Sequence, residues 1–489
     1  MTKRVVIRNS LIYTFNNLLL KAFNFLLLPL YTAFLSPSDY GVTNLLSSFS
    51  QVATYLIAFS LYSAVIRFYA EFKQDPKRLQ QFYGTILCFV ALSGFLFLTI
   101  FMVLQKILTP LFFEGISFFP TVLLALVALI GTSLYTIYQD ILKGMQQAKK
   151  SAITSLAYFV LQAALNIVFV AILKLGANGV LLAMVISNTA AIVWMIIDLL
   201  RTHLFCICID KSILKETLAY SIPIIPHNLS THIAQFVSRV FLNANYSLVD
   251  VGLFGLASKF GSLADMVQNS VNMAFQPWFF EQMHKRDAFD ANQIVSLSKS
   301  LVWLYGILFL GLSLFAQELV AIMATAGYQA SWLLIPLIVA TFAIKTPYYF
   351  YINILFYYKK ASRLIFIATV SSSIVNIVLS YFLIAAYGTF GSIIADGISM
   401  ILRVGIVVVI ARRFTDIGYR ISYFFRQTLL LLGFMAVGLY YSYAYSLDAL
   451  SLGNFIYKIC IFILYILLAL IVNRNSIKTV KEVVSSKRK

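Results

Sequence analysis

The sequence predicts an all-α polytopic membrane protein of about fourteen transmembrane helices, arranged as two pseudo-symmetric, parallel six-helix lobes plus two C-terminal helices. The first ground is composition. Of 489 residues, 61% are hydrophobic and 11% charged, whereas about a quarter of a soluble domain is charged. The second is the length of the apolar runs. Stretches of about 18 residues or more recur from end to end, enough for a helix to cross a bilayer. The third is an internal repeat. Residues 10–53 align with residues 221–264 without a gap, at an offset of 211, and share Ser10/Ser221, Asn17/Asn228, Asp39/Asp250, Gly41/Gly252 and Ser47/Ser258.

Run length and loop signals set the expected helices in chain order. The N-terminal lobe, residues 1–205, holds spans near 9–34, 42–68, 82–105, 119–143, 152–174 and 178–200. The apolar run from Leu11 outlasts a signal peptide and meets no small-residue cleavage site, so the first span reads as a retained helix. Residues 201–216, with Asp210, Lys211, Lys215 and Glu216, form the linker between lobes. The C-terminal lobe, residues 206–415, holds spans near 217–244, 251–280, 298–316, 331–357, 362–386 and 389–411. Residues 416–489 add spans near 424–445 and 453–473 and a basic tail. Both repeat copies start on the same side of the membrane. Duplicated bundles that rock about a central site are a common build for a secondary transporter.

The formal net charge of +19 does not point to nucleic acid, because the charges lie in short loops between apolar spans. Those loops alternate sharply. One side carries 29 basic residues, in clusters such as Arg67, Lys73, Lys77 and Arg78, or Arg412, Arg413, Arg420 and Arg426. The other carries Lys106, Lys174 and Lys458. The positive-inside rule then places both termini in the cytoplasm. The four cysteines, Cys88, Cys206, Cys208 and Cys460, read as core or lipid-facing residues. Cys206 and Cys208 lack histidine or cysteine partners at metal-binding spacing, and no cofactor is expected.

Polar residues inside the spans form stripes. Asn17, Lys21 and Asn24 share one face of the first helix. The repeat partner carries Asn228, His232, Gln235 and Arg239 at the same spacing. Ser258, Ser262, Asp265, Asn269 and Asn272 line one face of the following helix, echoed in the first copy by Ser47, Gln51 and Thr54. Serines and threonines often only tie membrane helices together. Charged residues are different, since a lysine or arginine at mid-bilayer costs about 2.5–3.5 kcal/mol on insertion scales. The deep cations are Lys21, Arg239, Lys259, Lys345 and Arg403, against one deep acid, Asp265. Lys259 and Arg403 lie where snorkelling to the interface competes with a cavity role. The expected binding residues are therefore Asn17, Lys21, Asn24, Asn228, His232, Gln235, Arg239, Lys259, Asp265 and Lys345, pointing at a shared aqueous cavity. The cationic excess predicts an anionic substrate such as a phosphate ester.

Leu28-Pro29-Leu30-Tyr31, followed by Leu35-Ser36-Pro37-Ser38-Asp39-Tyr40-Gly41, resembles the first-helix signature of bacterial polysaccharide (O-antigen type) flippases, within the multidrug/oligosaccharidyl-lipid/polysaccharide exporter superfamily. Ser221-Ile222-Pro223-Ile224-Ile225-Pro226 and Val251-Gly252-Leu253-Phe254 resemble the opening of that family's second lobe. The resemblance implies translocation of an undecaprenyl-diphosphate-linked oligosaccharide from the inner to the outer leaflet of the bacterial cytoplasmic membrane, by alternating access, for surface polysaccharide biosynthesis. It implies the lipid bilayer as surroundings, and a polysaccharide polymerase and glycosyltransferases as partners.

Two other readings compete. The multidrug antiporters of the superfamily couple through buried acids in their first lobe, whereas here Asp140 lies only at the cytoplasmic end of the fourth span. A membrane polysaccharide polymerase or ligase usually presents a sizeable outer loop with acids or histidines. The longest outer loop, near 106–118, holds only Lys106 and Glu114 as charges, and no paired carboxylates, phosphate loop or metal cluster appears in the sequence. The chain reads as a non-enzyme. The expected topology is testable by labelling in intact cells. Cysteines introduced at Ser38, Lys106 and Ser446 are expected to react with an impermeant thiol reagent from outside, and one at Lys285 to stay unlabelled. Labelling at position 285 would reverse the orientation.

Overall fold

Every regular element among the described residues is helical. The computed structural model describes residues 3–284, 290–358, 361, 363–447 and 450–473. Lys285, Arg286, Lys359, Lys360 and the basic tail from Arg474 lie outside the described residues, as does the side chain of Asn17. The chain gathers into two compact units that divide between Gly252 and Leu253.

The first unit opens with α1 (Lys3–Leu26) and α2 (Leu28–Phe34), followed by α3 (Pro37–Ala58) and α4 (Leu61–Phe72). α5 (Pro76–Val103), the short α6 (Gln105–Phe112), α7 (Leu123–Gly144), α8 (Ala148–Asn166) and α9 (Gly176–Arg201) follow. α10 (Lys211–Ser221) and α11 (Ile225–Asn245) complete it, and α12 (Leu248–His284) begins there and runs into the second unit. The second unit continues with α13 (Ala291–Leu314), α14 (Ala316–Met323), α15 (Ile335–Tyr357), α16 (Ile365–Arg412), α17 (Ile421–Tyr445) and α18 (Leu452–Val472). These elements follow the expected spans in order, with ends displaced by a few residues.

Among the described residues, ten helices are long and apolar enough to cross a membrane, or eleven with the bent α3–α4 pair counted as one span. α16 has 48 residues, about 72 Å at 1.5 Å per residue, more than twice the hydrocarbon thickness of about 30 Å. It is a helical hairpin. Gly388 breaks it with φ 57° and ψ −131°, a conformation suited to glycine. Asn376 donates to Asp396 at 2.7 Å and Arg403 donates to Ser372 at 2.8 Å across the fold. α11 and α12 carry the polar stripes and fall outside the apolar set, so the expected fourteen spans require both of these to cross as well.

The repeated Asp and Gly positions have a structural explanation. Ser36 and Asp39 form a reciprocal capping box at the start of α3. Ser247 and Asp250 repeat the pairing at the start of α12, with the Asp250 amide donating to the Ser247 hydroxyl at 3.2 Å. Asp39 also accepts from the Ala177 amide at 3.3 Å, so one carboxylate serves two helix N-termini. The two capped ends cross in contact. A Cβ on Gly41 would lie 1.9 Å from the Leu248 carbonyl oxygen, and one on Gly252 would lie 2.0 Å from that of Pro37. Each glycine thus meets the backbone four residues before the other, a reciprocal pairing at the same repeat offset.

α3 and α4 meet at 43°. The bend is two consecutive left-handed residues, Phe59 (φ 49°) and Ser60 (φ 55°), neither of them glycine. The equivalent stretch of α12 stays helical through Ser270, so the copies differ here. Cys206 and Cys208 lie side by side in the segment between α9 and α10, with their sulfurs in contact, while Cys88 and Cys460 stand apart from them.

Gly41→Ala and Gly252→Ala should each destabilise the protein by about 1–3 kcal/mol, since overpacking here meets carbonyl oxygens rather than flexible side chains. Gly405→Ala and Gly433→Ala face open space and should hold or raise stability, because alanine is the better helix former. Thermal unfolding of the detergent-purified variants checks the contrast.

Candidate functional site

The bend in the first unit opens a cavity of about 460 Å³. α3 contributes Gln51, Thr54 and Tyr55, and α4 contributes Tyr62, Ser63 and Ile66. α7 adds Thr132, Thr136 and Asp140, and α11 adds Asn228 and His232. Apart from Ile66, every lining side chain is polar or bears a hydroxyl. None is lysine or arginine.

Helix periodicity explains these positions. Gln51, Thr54 and Tyr55 share one face of α3, Thr132, Thr136 and Asp140 one face of α7, and Asn228 and His232 are one turn apart on α11. The two left-handed residues then swing α4 so that Tyr62 returns to Tyr55. Their rings meet edge to face, with centroids 5.8 Å apart. The Tyr62 hydroxyl donates to the Thr54 carbonyl at 2.6 Å, which staples the bend from inside. His232 stacks on Tyr55 with centroids 5.5 Å apart and 25° between ring planes. Asp140 is 7% exposed and accepts from Lys143 at 2.7 Å.

Of the residues expected from sequence, Asn228 and His232 line this cavity. Arg239 lies two turns further along α11, half-buried, and donates to the Gln235 carbonyl at 2.9 Å. Gln235 is exposed. Lys21 and Asn24 are exposed on α1, where the Asn24 amide donates to the Leu20 carbonyl at 2.9 Å. Lys21 makes no ion pair among the described residues. Tyr55, Tyr62, Thr132 and Thr136 carry no distinguishing sequence signal, since aromatic and threonine residues are ordinary in membrane helices.

In the second unit, Asp265 and Lys345 come together. Lys345 Nζ lies 2.6 Å from Asp265 Oδ1, with side chains 15% and 32% exposed. The Tyr349 hydroxyl donates to the same oxygen at 3.0 Å, and Asn269 donates to Oδ2 at 2.8 Å. Three donors thus converge on the one acid read as deep from sequence. Gln268, one helical turn from Asn272, donates to Thr346 at 3.0 Å, and Asn353 donates to Asn272 at 2.8 Å, extending the α12–α15 seam. Lys259 stands exposed on α12.

A second ion pair lies elsewhere in this unit. Lys458, counted in the sequence with the sparse side's basic residues, is fully buried within α18 and pairs with Glu318 of α14 at 2.7 Å. Gln317 accepts from Lys458 at 3.3 Å and from Asn454 at 3.4 Å, and itself donates to the Ser446 carbonyl at 2.6 Å. This network fixes α18 and the end of α17 to α14.

Residues 6–283 match the family described as polysaccharide biosynthesis protein. The chain belongs to that family. A protein of the Lsg locus of Haemophilus influenzae is 24% identical over 177 residues, 34% of this chain, and the match spans 41% of that relative's length. Among solved structures, the lipid II flippase MurJ in an inward closed conformation matches with a TM-score of 0.68 at 18% identity, covering 96% of this chain and all of that one. An inward-facing multidrug resistance MATE family transporter of the MOP superfamily matches with a TM-score of 0.55 at 16% identity, covering 83% of this chain and 96% of that one. The polysaccharide biosynthesis family thus carries here the fold seen in the MOP superfamily.

The Asp265–Lys345 pair makes its own prediction. Removing one partner leaves a half-buried charge uncompensated, so Lys345→Met or Asp265→Asn alone should destabilise the protein by about 1–3 kcal/mol. The double variant should recover most of that loss. A double-mutant cycle on thermal unfolding measures the coupling, and additive losses would show that the pair contributes nothing.

Proposed function

We propose that this chain is a flippase for an undecaprenyl-diphosphate-linked oligosaccharide. It carries the lipid from the inner to the outer leaflet of a bacterial cytoplasmic membrane by alternating access, for surface polysaccharide biosynthesis. Family membership supports the pathway, and the transporter fold supports movement rather than covalent chemistry. The parallel lobes of residues 1–205 and 206–415, and the cytoplasmic termini, belong to the same reading. The lipid II flippase among the matching structures is a protein of related task, and it supports a lipid-linked glycan as the class of cargo.

The balance of ion pairs favours an anion over a cationic drug. Asp140, Asp198, Asp265 and Glu318 are each paired with a lysine: Lys143, Lys150, Lys345 and Lys458. A cationic drug drawn to one of these four acids would have to displace its lysine. Lys21, by contrast, is an exposed cation of α1 with no ion pair among the described residues. A diphosphate satisfies it by charge-assisted hydrogen bonding. Asn17, Asn24, Gln235, Arg239 and Lys259 are proposed to serve the same cargo.

Depletion of the protein should leave lipid-linked glycan in the inner leaflet and remove surface polysaccharide. Surface polysaccharide measured per membrane-inserted protein should survive in part in Lys21→Arg, fall sharply in Lys21→Met and vanish in Lys21→Glu. The loss of one charge-assisted bond, about 1.5–3 kcal/mol, sets the scale of the Met variant. Normal export from Lys21→Glu would end the anion reading, and sensitivity to cationic dyes with intact surface glycan would favour the drug antiporter.

A further inference from the structure

We propose that the cavity of the first unit is a subsite for the uncharged sugar rings of the cargo, with the stacked Tyr55–His232 pair as its aromatic plate. The proposal rests on the flippase reading and divides its labour. The diphosphate belongs with cations, and this cavity has none in its lining. What the lining offers instead is the chemistry of a sugar. The C–H face of a pyranose is apolar and faintly positive, and it packs on the negative face of an aromatic ring. The hydroxyls around its rim both donate and accept, and amides and hydroxyls answer both needs.

Three observations converge on this assignment. The cavity volume, about 460 Å³, falls in the range of sites that hold a drug-sized ligand. The amides of Gln51 and Asn228 hydrogen-bond to no protein group among the described residues, and the shielded Nδ1 of His232 has no partner either. The polar capacity of the site is therefore open. Finally, the rings are held by backbone strain. Tyr55 and Tyr62 reach one another only because Phe59 and Ser60 adopt the left-handed region. A non-glycine residue there costs on the order of 1–3 kcal/mol, and such conformations cluster at ligand sites. An unbroken helix would hold Tyr55 and Tyr62 about two turns apart along its axis, and α12 stays helical at the equivalent position.

The test uses the full-length protein in lipid nanodiscs and two probes: undecaprenyl diphosphate without sugar, and undecaprenyl-diphosphate-linked oligosaccharide extracted from cells depleted of the protein. Wild type should bind the glycan-bearing lipid more tightly. Tyr55→Ala should weaken that lipid about tenfold, the upper range for one aromatic contact, and leave undecaprenyl diphosphate unchanged. Tyr55→Phe should bind both as wild type, and Gln51→Leu or Asn228→Leu should weaken the glycan-bearing lipid alone even if Tyr55→Ala fails to fold. Equal weakening of both probes, or no change in either, would overturn the subsite while leaving the flippase reading in place. If wild type binds neither lipid, the flippase reading fails and the subsite with it.

Discussion

The close crossing of two helix starts, at Gly41 and Gly252, is the constraint around which the first unit is built. Each glycine accepts a carbonyl oxygen where any side chain would stand, at 1.9 Å and 2.0 Å from an added Cβ. The crossing is sustained because both ends are capped by their own side chains, Ser36 with Asp39 and Ser247 with Asp250. Without those caps, the first turns of α3 and α12 would lose the side-chain acceptors of their unpaired amides, at about 0.5–2 kcal/mol for each cap. The contact brings the helix that follows the second repeat's opening against the first repeat's own. α11 therefore packs beside α3 within one unit, and Asn228 and His232 arrive opposite Gln51 and Tyr55.

Much of this was legible from sequence, for a physical reason. Hydrocarbon admits few backbone solutions, so apolar run length together with loop signals orders the helices. The shared Asp and Gly identities show the duplication in sequence, and the structure adds that they are caps and a close approach. What stayed hidden depends on partners distant in the chain. Nothing near Lys345 announces Asp265, 80 residues away, and nothing near Lys458 announces Glu318, 140 residues away. The α3–α4 bend was hidden for another reason. Its left-handed pair is Phe59 and Ser60, with no glycine or proline to mark it, so the run reads as one continuous helix. Tyr55 and Tyr62 were lost with it, because their role exists only once the helix is broken.

The ion pairs follow one pattern. In a membrane, a lone buried charge is far costlier than a paired one. Four lysines in or beside the spans have taken acids as partners. Pairing makes these charges fixings between helices. The Lys458–Glu318 pair with Gln317 and Asn454 fastens α18, and Lys345 with Tyr349 and Asn269 fastens Asp265 between α12 and α15. Of the five deep cations counted from sequence, only Lys345 is one of these four lysines. The cations that remain available are those that no acid has claimed, and Lys21 is one of them.

A cavity without lysine or arginine in its lining, and cations outside it, suit the proposed cargo with its two chemically distinct parts. A diphosphate held by many buried cations would bind tightly and leave slowly, which works against turnover. Sugar rings held by stacking and by single hydrogen bonds, each worth about 0.5–1.5 kcal/mol net, give contacts that form and break readily. In the proposed flippase, recognition spread over many weak neutral contacts and few charged ones keeps a bound lipid selectable without trapping it. On the proposed reading, the strain at Phe59 and Ser60 is a fixed cost stored in the empty protein, so that the rings stand in place before a cargo arrives.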